Sequence, residues 1–534
     1  MQSSGKARER TLILFLILSA LAALSALTPS LSQAATPRYY NMGNPIVQDI
    51  WVDPVNGINR NSGADRTHAV KTLEEAWNRI PTETTLTTTG YRIRLVAGQY
   101  PESSIPLFMQ RKYGTFKYPV IIEAADGNLS AHLHGYFNMS DVRYVYLIGL
   151  DFITDPGYGG GGNVLHLEKG NHILVRKCRL NGNDGTVNQP QETIKANQCR
   201  YLYMEDSDIS GGLLFSLDYV AVQYGHIQGC RIHDSGDDCL LIKGGTANLR
   251  IEANEIYNAG VMGFAAGQAT GMEYMVPPWI HYEVYNIKFI NNIVHDTQNV
   301  GVGLRGGYNV LIAYNTFYRV GINQESGAPL ASFAFGTRMC DGHTETCQEL
   351  HNLGAWGSLS EPMDCIPNRN VLVYNNIFMN PPKRFTLYEH FEVLAPRSMP
   401  ADTNIPSPAR ADQGLRIRGN IIWNGPADFP LGVGGPDRGC RPSNPTCNET
   451  QIRADNAINT LKPGLANPVT GDFHPATGSN LFSATTFAIP SFVSTDRPQP
   501  PLPPVWQLEN TVSMDKEAKK RTSTSPPGAL ILPH

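Results

Sequence analysis

The chain has no large excess of either charge: 43 lysines and arginines stand against 47 aspartates and glutamates in 534 residues, a net charge of −4. A nucleic-acid partner or a polybasic membrane-binding surface is therefore not expected. Beyond residues 12–27 there is no apolar run long enough to approach a bilayer span. Nine cysteines include no C-x-x-C pair, which excludes a zinc site of that pattern. Charged residues make up only 17% of the chain, whereas 50 glycines and 38 prolines mark it as turn-rich. Such a length and composition suit either several globular domains or one solenoid.

Residues 1–34 read as a secretory signal, with Lys6, Arg8 and Arg10, then the apolar run, then Ser32-Gln33-Ala34 as a small-x-small cleavage site. A retained membrane anchor is the alternative, but the run is short of the ~20 residues of a spanning helix. The mature chain is expected to be secreted, extracellular or periplasmic, as a monomer with no stable membrane span after cleavage. Disulfides persist there. Cys340 with Cys347, and Cys440 with Cys447, suit local loop-closing bridges. Cys178, Cys199, Cys230, Cys239 and Cys365 sit mostly beside apolar strand residues and read as buried small hydrophobes.

From Ile50 the chain runs through a strand and a Gly/Asn-rich turn into an amphipathic helix at 72–80, with Leu73, Ala76, Trp77 and Ile80 on one face. A repeat then takes over, apolar-x-apolar-x-x-(Asn/Cys/Ser)-x-apolar, marked by Cys178, Ser207, Cys230, Asn254, Asn292, Asn315, Asn376 and Asn420. Its intervals of 29, 23, 24, 38, 23, 61 and 44 residues fit a base of about 23 with insertions. Stacked coils of a parallel β-solenoid produce that pattern, the marker asparagines bonding along the stack at the ~4.8 Å strand spacing. A β-sandwich or propeller is disfavoured, because the connections lack the two-residue turns of hairpins. The expected fold is thus all-β, a right-handed parallel β-helix over residues 50–424, with the helix capping its first coil and insertions at 269–286, 322–367 and 381–413. Residues 425–496 form a C-terminal extension, and 497–534 read as a disordered tail.

With its VDP-x-x-G opening at 52–57 and its TLEEAW helix at 72–77, the chain resembles the right-handed parallel β-helix proteins of the pectate lyase-like superfamily over roughly residues 50–424. That fold hosts lyases, hydrolases, epimerases and non-catalytic adhesins, so function must come from the site.

Ionisable groups concentrate in DSGDDCLLIKGG at 234–245, a turn between strands. Lys243 lies eleven residues before Asn254 and Arg305 ten before Asn315, so both occupy nearly the same place on coils two apart, with Gly267-Gln268 between. Two steps of ~4.8 Å set their backbones roughly 10 Å apart, close enough for both cations to converge on one uronate; the plain alternative is that each pairs with a neighbouring carboxylate. Asp237, Asp238, Asp234 and Asp218, with Glu192 on an earlier coil, supply hard oxygen ligands suited to Ca²⁺; the rival role is closing the turn on backbone N–H groups. In the aromatic-rich insertion, Tyr274, Trp279 and Tyr282, with Gln268 beside them, are candidate contacts to sugar rings, or else pack the loop onto the solenoid flank.

The lysine five residues after Asp238 resembles the chondroitinase B and alginate lyase family, in which a similarly placed acid binds calcium and the lysine is the base. That family carries its arginine on the next coil, where this chain has Gln268 and defers the arginine to Arg305. SGDDCLLIKGG also resembles the GDDC segment of polygalacturonases, with Asp218 as the preceding aspartate, but the expected His-Gly and Arg-x-Lys motifs are absent. The resemblance implies a secreted lyase that cleaves an acidic, uronate-containing polysaccharide by calcium-assisted β-elimination, with Lys243 as base and Arg305 neutralising the carboxylate. The alternatives are a glycoside hydrolase or epimerase, with Asp218 and Asp238 as a hydrolytic pair, and a non-catalytic glycan-binding surface protein.

Overall fold

The computed structural model describes residues 39–154, 162–182, 190–323, 325, 327–496 and 498–532. The signal expected at 1–34 lies outside the described residues. Among the described residues no helix is long and apolar enough to cross a membrane.

A complete coil of the chain gives one strand to each of three long sheets, of twelve, ten and twelve strands, and neighbouring strands within each sheet pair in parallel from one coil to the next. One coil, for example, contributes Asn163–Glu168 to the ten-stranded sheet, Asn171–Arg176 to the first sheet and Arg179–Asn181 to the third. This is a parallel β-helix, right-handed by the rule that governs parallel crossovers. Alternation decides the interior: Ile173, Val175 and Leu180 are fully buried, and Phe264 stacks on Phe289 at 4.3 Å in the core.

The marker residues lie at the turn between the first and third sheets, each asparagine of the central coils following one residue in left-handed backbone: Ala253 (φ 60°), Asn291 (φ 56°) and Tyr314 (φ 54°). Their amides form a continuous ladder. Asn254 donates to Asn292 at 2.9 Å, Asn292 to Asn315 at 3.1 Å, Asn315 to Asn376 at 3.0 Å and Asn376 to Asn420 at 2.9 Å. Each amide also donates to a backbone carbonyl, as Asn292 does to Ile251 at 3.0 Å, so a fully buried polar column is satisfied at about 1 kcal/mol per bond. At the N-terminal end the helix α1 (Leu73–Asn78), N-capped by the Thr72 hydroxyl on the Glu75 N–H at 3.1 Å, buries Leu73, Ala76 and Trp77 against Ile50, Val52 and Ile93. The expected cap is present.

Several boundaries move. The ladder continues to Asn456 at 2.8 Å and Ile421–Trp423 pairs with Ala457–Ile458, so the solenoid runs a coil beyond residue 424. The stretches read as insertions at 322–367 and 381–413 contain strands of the ten-stranded sheet, Ala331–Ala334 and Phe391–Val393, hidden because no marker accompanies them. The tail read as disordered is packed: Arg521 donates to Asn291 at 2.8 Å and Lys516 to the Ala253 carbonyl at 2.6 Å. Its composition cannot build a core of its own, but it need not. Ile290, Leu311, Leu372 and Tyr374 make the outer face of the late coils apolar, and Phe487 and Phe492 of the extension cover it together with Leu508 and Val512 of the tail. Both expected disulfides form, with Cα separations of 5.7 and 4.8 Å, and the other five cysteines are buried thiols.

Candidate active site

Six successive strands of the ten-stranded sheet carry the site: β1 (Asn163–Glu168), β2 (Glu192–Asn197), β3 (Phe215–Val220), β4 (Leu240–Lys243), β5 (Phe264–Ala266) and β6 (Val302–Arg305). Leu165, Ile194, Leu217, Leu240, Phe264 and Val302 share one register position and face the core. The next position faces outward and reads His166, Lys195, Asp218, Leu241, Ala265, Gly303. Two residues further along, Glu168, Asn197, Val220 and Lys243 are level. Gly267 and Arg305 directly follow the paired Ala266 and Leu304 and continue that second column. Lys243 and Arg305 thus stand two strands apart in one column, as the motif spacing requires.

Lys243 does not meet Arg305 and the turn aspartates; it leans the other way. Its ammonium lies 3.9 Å from Asp218, which also holds a tight ion pair with Lys195, and Lys195 reaches Glu192 at 3.2 Å. Burial disfavours the Lys195 cation, but Asp218 and Glu192 outweigh it and raise its pKa. Asp218 is wholly buried, and its second carboxylate oxygen has no hydrogen-bond partner. His166, beside Lys195, is pushed below the usual imidazole range by burial, and its Nε2 receives the Asn197 amide at 3.2 Å. A cavity of about 800 Å³ opens over this cluster, lined among others by Glu192, Lys195, Asn197, Lys243, Tyr274 and Asp341.

The arginine end is different. Asp238 is 1% exposed, accepts the Met262 N–H at 2.9 Å and leaves its other oxygen unpaired. Burial, and then Asp237 beside it, hold its carboxyl well above the ordinary range, while Arg305 acts in the opposite sense. Asp237 is raised too, by burial, with Asp238 beside it and the charge of Arg305 acting in the opposite sense. Arg305 itself lines a separate cavity of about 320 Å³ with Ser332, Tyr388 and Glu392.

The expected calcium set does not assemble. Asp234 belongs to the third sheet, bonded to His233 at 2.7 Å and to Asn258 at 2.9 Å. Asp218 is salt-bridged on the ten-stranded sheet, while Asp237 and Asp238 stand side by side in the turn before it. Among the described residues, the one group of three acidic, histidine or cysteine ligand atoms within 4.8 Å is Glu273 with Cys340 and Cys347, whose sulfurs form a disulfide. The proposed hydrolytic pair is not level either: Asp218 pairs in register with Leu241, and Asp238 stands three residues before that, in the turn preceding β4.

Of the aromatic candidates, Tyr274 is 44% exposed at the cavity, whereas Trp279 and Tyr282 are buried with Tyr285, Tyr308 and Trp356, where the Tyr282 hydroxyl meets Asp496. They pack the insertion down and offer no face to a sugar. Gln268 is partly exposed on the coil between Lys243 and Arg305, and its carbonyl accepts the Thr337 N–H at 2.8 Å.

No motif marks Lys195 or His166 in the sequence; the one signal is that Lys195 precedes Asp218 by 23 residues, one base repeat. Also unforeseen is Glu283, which is fully buried and salt-bridged to the equally buried Arg338. Its carboxylate accepts the Gly244 N–H at 3.0 Å, its carbonyl the Gly245 N–H at 2.8 Å, and its own N–H donates to the Gly306 carbonyl at 2.8 Å. One residue thereby fixes the turns that follow both Lys243 and Arg305. Gly267, at φ 81° between them, has no room for a Cβ, which would lie 1.8 Å from the Arg305 carbonyl.

No protein-family profile matches the chain, and no curated protein does. Solved structures similar in fold include pectate lyase Pel9A (16% identity, 55% of this chain and 76% of that one, TM-score 0.39) and a rhamnogalacturonan lyase (12%, 70% and 87%, TM-score 0.43). An alginate lyase from Paenibacillus sp. strain FPU-7 is similar at 14% identity over 64% of this chain and 83% of that one, with a TM-score of 0.30.

Proposed function

We propose that this chain is a carbohydrate-active enzyme that binds an acidic polysaccharide in the cavity over β1–β4 and cleaves it by β-elimination next to a uronate. The observation that carries this reading is the pair of lysines, Lys195 and Lys243, held beside one buried aspartate at the edge of an open cavity of about 800 Å³. Lys195 is kept cationic by Asp218 and Glu192 and serves as the carboxylate-binding charge, which acidifies the proton on the adjoining carbon. The free-amine form of Lys243 takes that proton. The electron pair forms the ring double bond, the glycosidic C–O bond breaks, and the leaving oxygen is protonated by water in the open cavity. Arg305, two strands along the axis, binds a neighbouring acidic unit in its own cavity. The four aspartates do not fit a calcium cage, so no step runs through a metal.

Hydrolysis is the second reading, and one observation favours it: Glu192 and Asp218 both contact the Lys195 ammonium, which sets the two carboxylates within about 6 Å of each other, near the separation of a retaining pair. A panel of uronate polysaccharides assayed for ultraviolet-absorbing unsaturated ends and for new reducing ends separates the readings. Elimination gives both signals, hydrolysis reducing ends alone, and a binding protein neither.

A further inference from the structure

Beside the cavity, at the corner where the ten-stranded sheet turns into the first sheet, four rings stack along four successive coils. Tyr144 and His172 are 4.3 Å apart, His172 and Tyr201 4.4 Å, and Tyr201 and Tyr224 5.0 Å. All four residues have left-handed backbone, φ 50°, 58°, 56° and 65°, a conformation that bulky side chains disfavour and asparagine tolerates far better.

The same column shows what the solenoid itself requires there. Tyr224 is level with Asn248, and from that point the column is an asparagine ladder, Asn286 donating to Asn248 at 3.1 Å and Asn309 to Asn286 at 3.0 Å. Those asparagines are buried, and the chain's own C-terminal segment lies on them, Gln507 donating to the Asn286 carbonyl at 2.9 Å and Asn309 to that of Val493 at 3.2 Å. The four rings are partly exposed, as is Asn370, which continues the ladder by donating to Asn309 at 3.3 Å. Each ring follows a residue of one further column, Arg143, Asn171, Arg200, Gln223. Both arginines are exposed, Arg200 lying over the Tyr224 ring at 5.7 Å and Arg143 over the Tyr113 ring at 4.3 Å. Lys169 and Gln198, three residues before His172 and Tyr201, line the cavity, so the strip is continuous with it.

We propose that this aromatic and basic strip is a remote binding surface for the acidic polysaccharide, holding sugar units that extend out of the cavity past Lys169 and Gln198. Stacked rings present their electropositive edges and phenol groups rather than their faces, and with Arg143 and Arg200 they match an anionic, hydroxyl-rich chain. The ligand class rests on the reading of the cavity above; the location of the strip does not.

The test is a Tyr201→Asn/Tyr224→Asn variant, since asparagine is the residue this column carries in the later coils. Arg200→Gln is the second variant, because glutamine already stands one coil later in that column, at Gln223. Calorimetry with polygalacturonate and alginate, and with their trisaccharides, is expected to show about tenfold weaker binding of a long chain to the double variant. The trisaccharide affinity and melting temperature should stay unchanged, and Arg200→Gln should weaken long-chain binding a few fold, more at low salt. Long-chain binding unaltered in both variants overturns the strip while leaving the cavity reading intact. Equal weakening of long and short ligands together with a fall in melting temperature also overturns it, as a structural role. A parent protein that binds neither polyuronate overturns both.

Discussion

The two ends of the groove are built on one register and treat their charges in opposite ways. At the lysine end, Asp218 and Glu192 are bonded to Lys195, with Lys243 just beyond hydrogen-bond range. At the arginine end, Asp238 lies under a turn, pressed against Asp237, with Arg305 acting only through space. The difference comes from placement on the coil. A carboxylate on an outward strand position has the next strand's side chain beside it, ~4.8 Å away, whereas one in the preceding turn has a backbone N–H and its own neighbour. Proximity in sequence to Lys243 therefore counted for less than level on the sheet.

The largest expected effect separates the ends by chemistry. Lys243→Arg keeps the charge beside Asp218 but removes a group able to give up and retake a proton, so kcat should fall by ~10²-fold or more with KM nearly unchanged. Unsaturated product at the parent rate would remove Lys243 as the base and shift the assignment to Glu192 and Asp218. Next comes the element that both ends share. Glu283→Gln or Arg338→Met leaves a buried charge without its partner and should cost about 3–5 kcal/mol in denaturant unfolding. The double variant should recover part of that loss, and an unchanged midpoint in either single variant would refute the shared anchor.

A smaller effect marks the arginine end alone. In the folded chain burial raises the Asp238 carboxyl, while in the unfolded chain it titrates near 4. As pH rises above about 4 the unfolded chain loses a proton that the folded chain keeps, so this group makes stability fall with pH until its raised value is passed. Asp238→Asn should flatten that slope and gain about 1 kcal/mol at neutral pH, with activity retained. A slope identical to the parent's would show that Asp238 is not held neutral. The smallest effect expected is that of a chelator: with no calcium cage among the four aspartates, EDTA should change turnover by less than about twofold. A collapse restored by Ca²⁺ would place a metal at the groove after all.

Much of the architecture is legible in the sequence, because a solenoid repeats one local solution. Asn254, Asn292 and Asn315 had to recur at a common level for their amides to bond, and the cap at Leu73–Asn78 shows its apolar face in four residues. Counting from those markers also set Lys243 and Arg305 in one column. Strands that lack a marker, such as Ala331–Ala334, leave no such trace. The tail reads as disordered because its composition is that of a free segment, while the apolar face that holds it belongs to strands more than a hundred residues earlier.

The sequence by itself determined the period, the buried column and the outward level of the two cations, since alternation and repeat length are local properties of the chain. Only the tertiary structure decided which groups meet. Lys243 leans toward Asp218 rather than toward Asp238, Asp234 is carried to another sheet, Trp279 and Tyr282 go under the insertion, and Glu283 joins the two glycine turns from the coil between them. Side-chain direction across a coil and the packing of an insertion depend on contacts between residues far apart in the chain, and no spacing of letters encodes them.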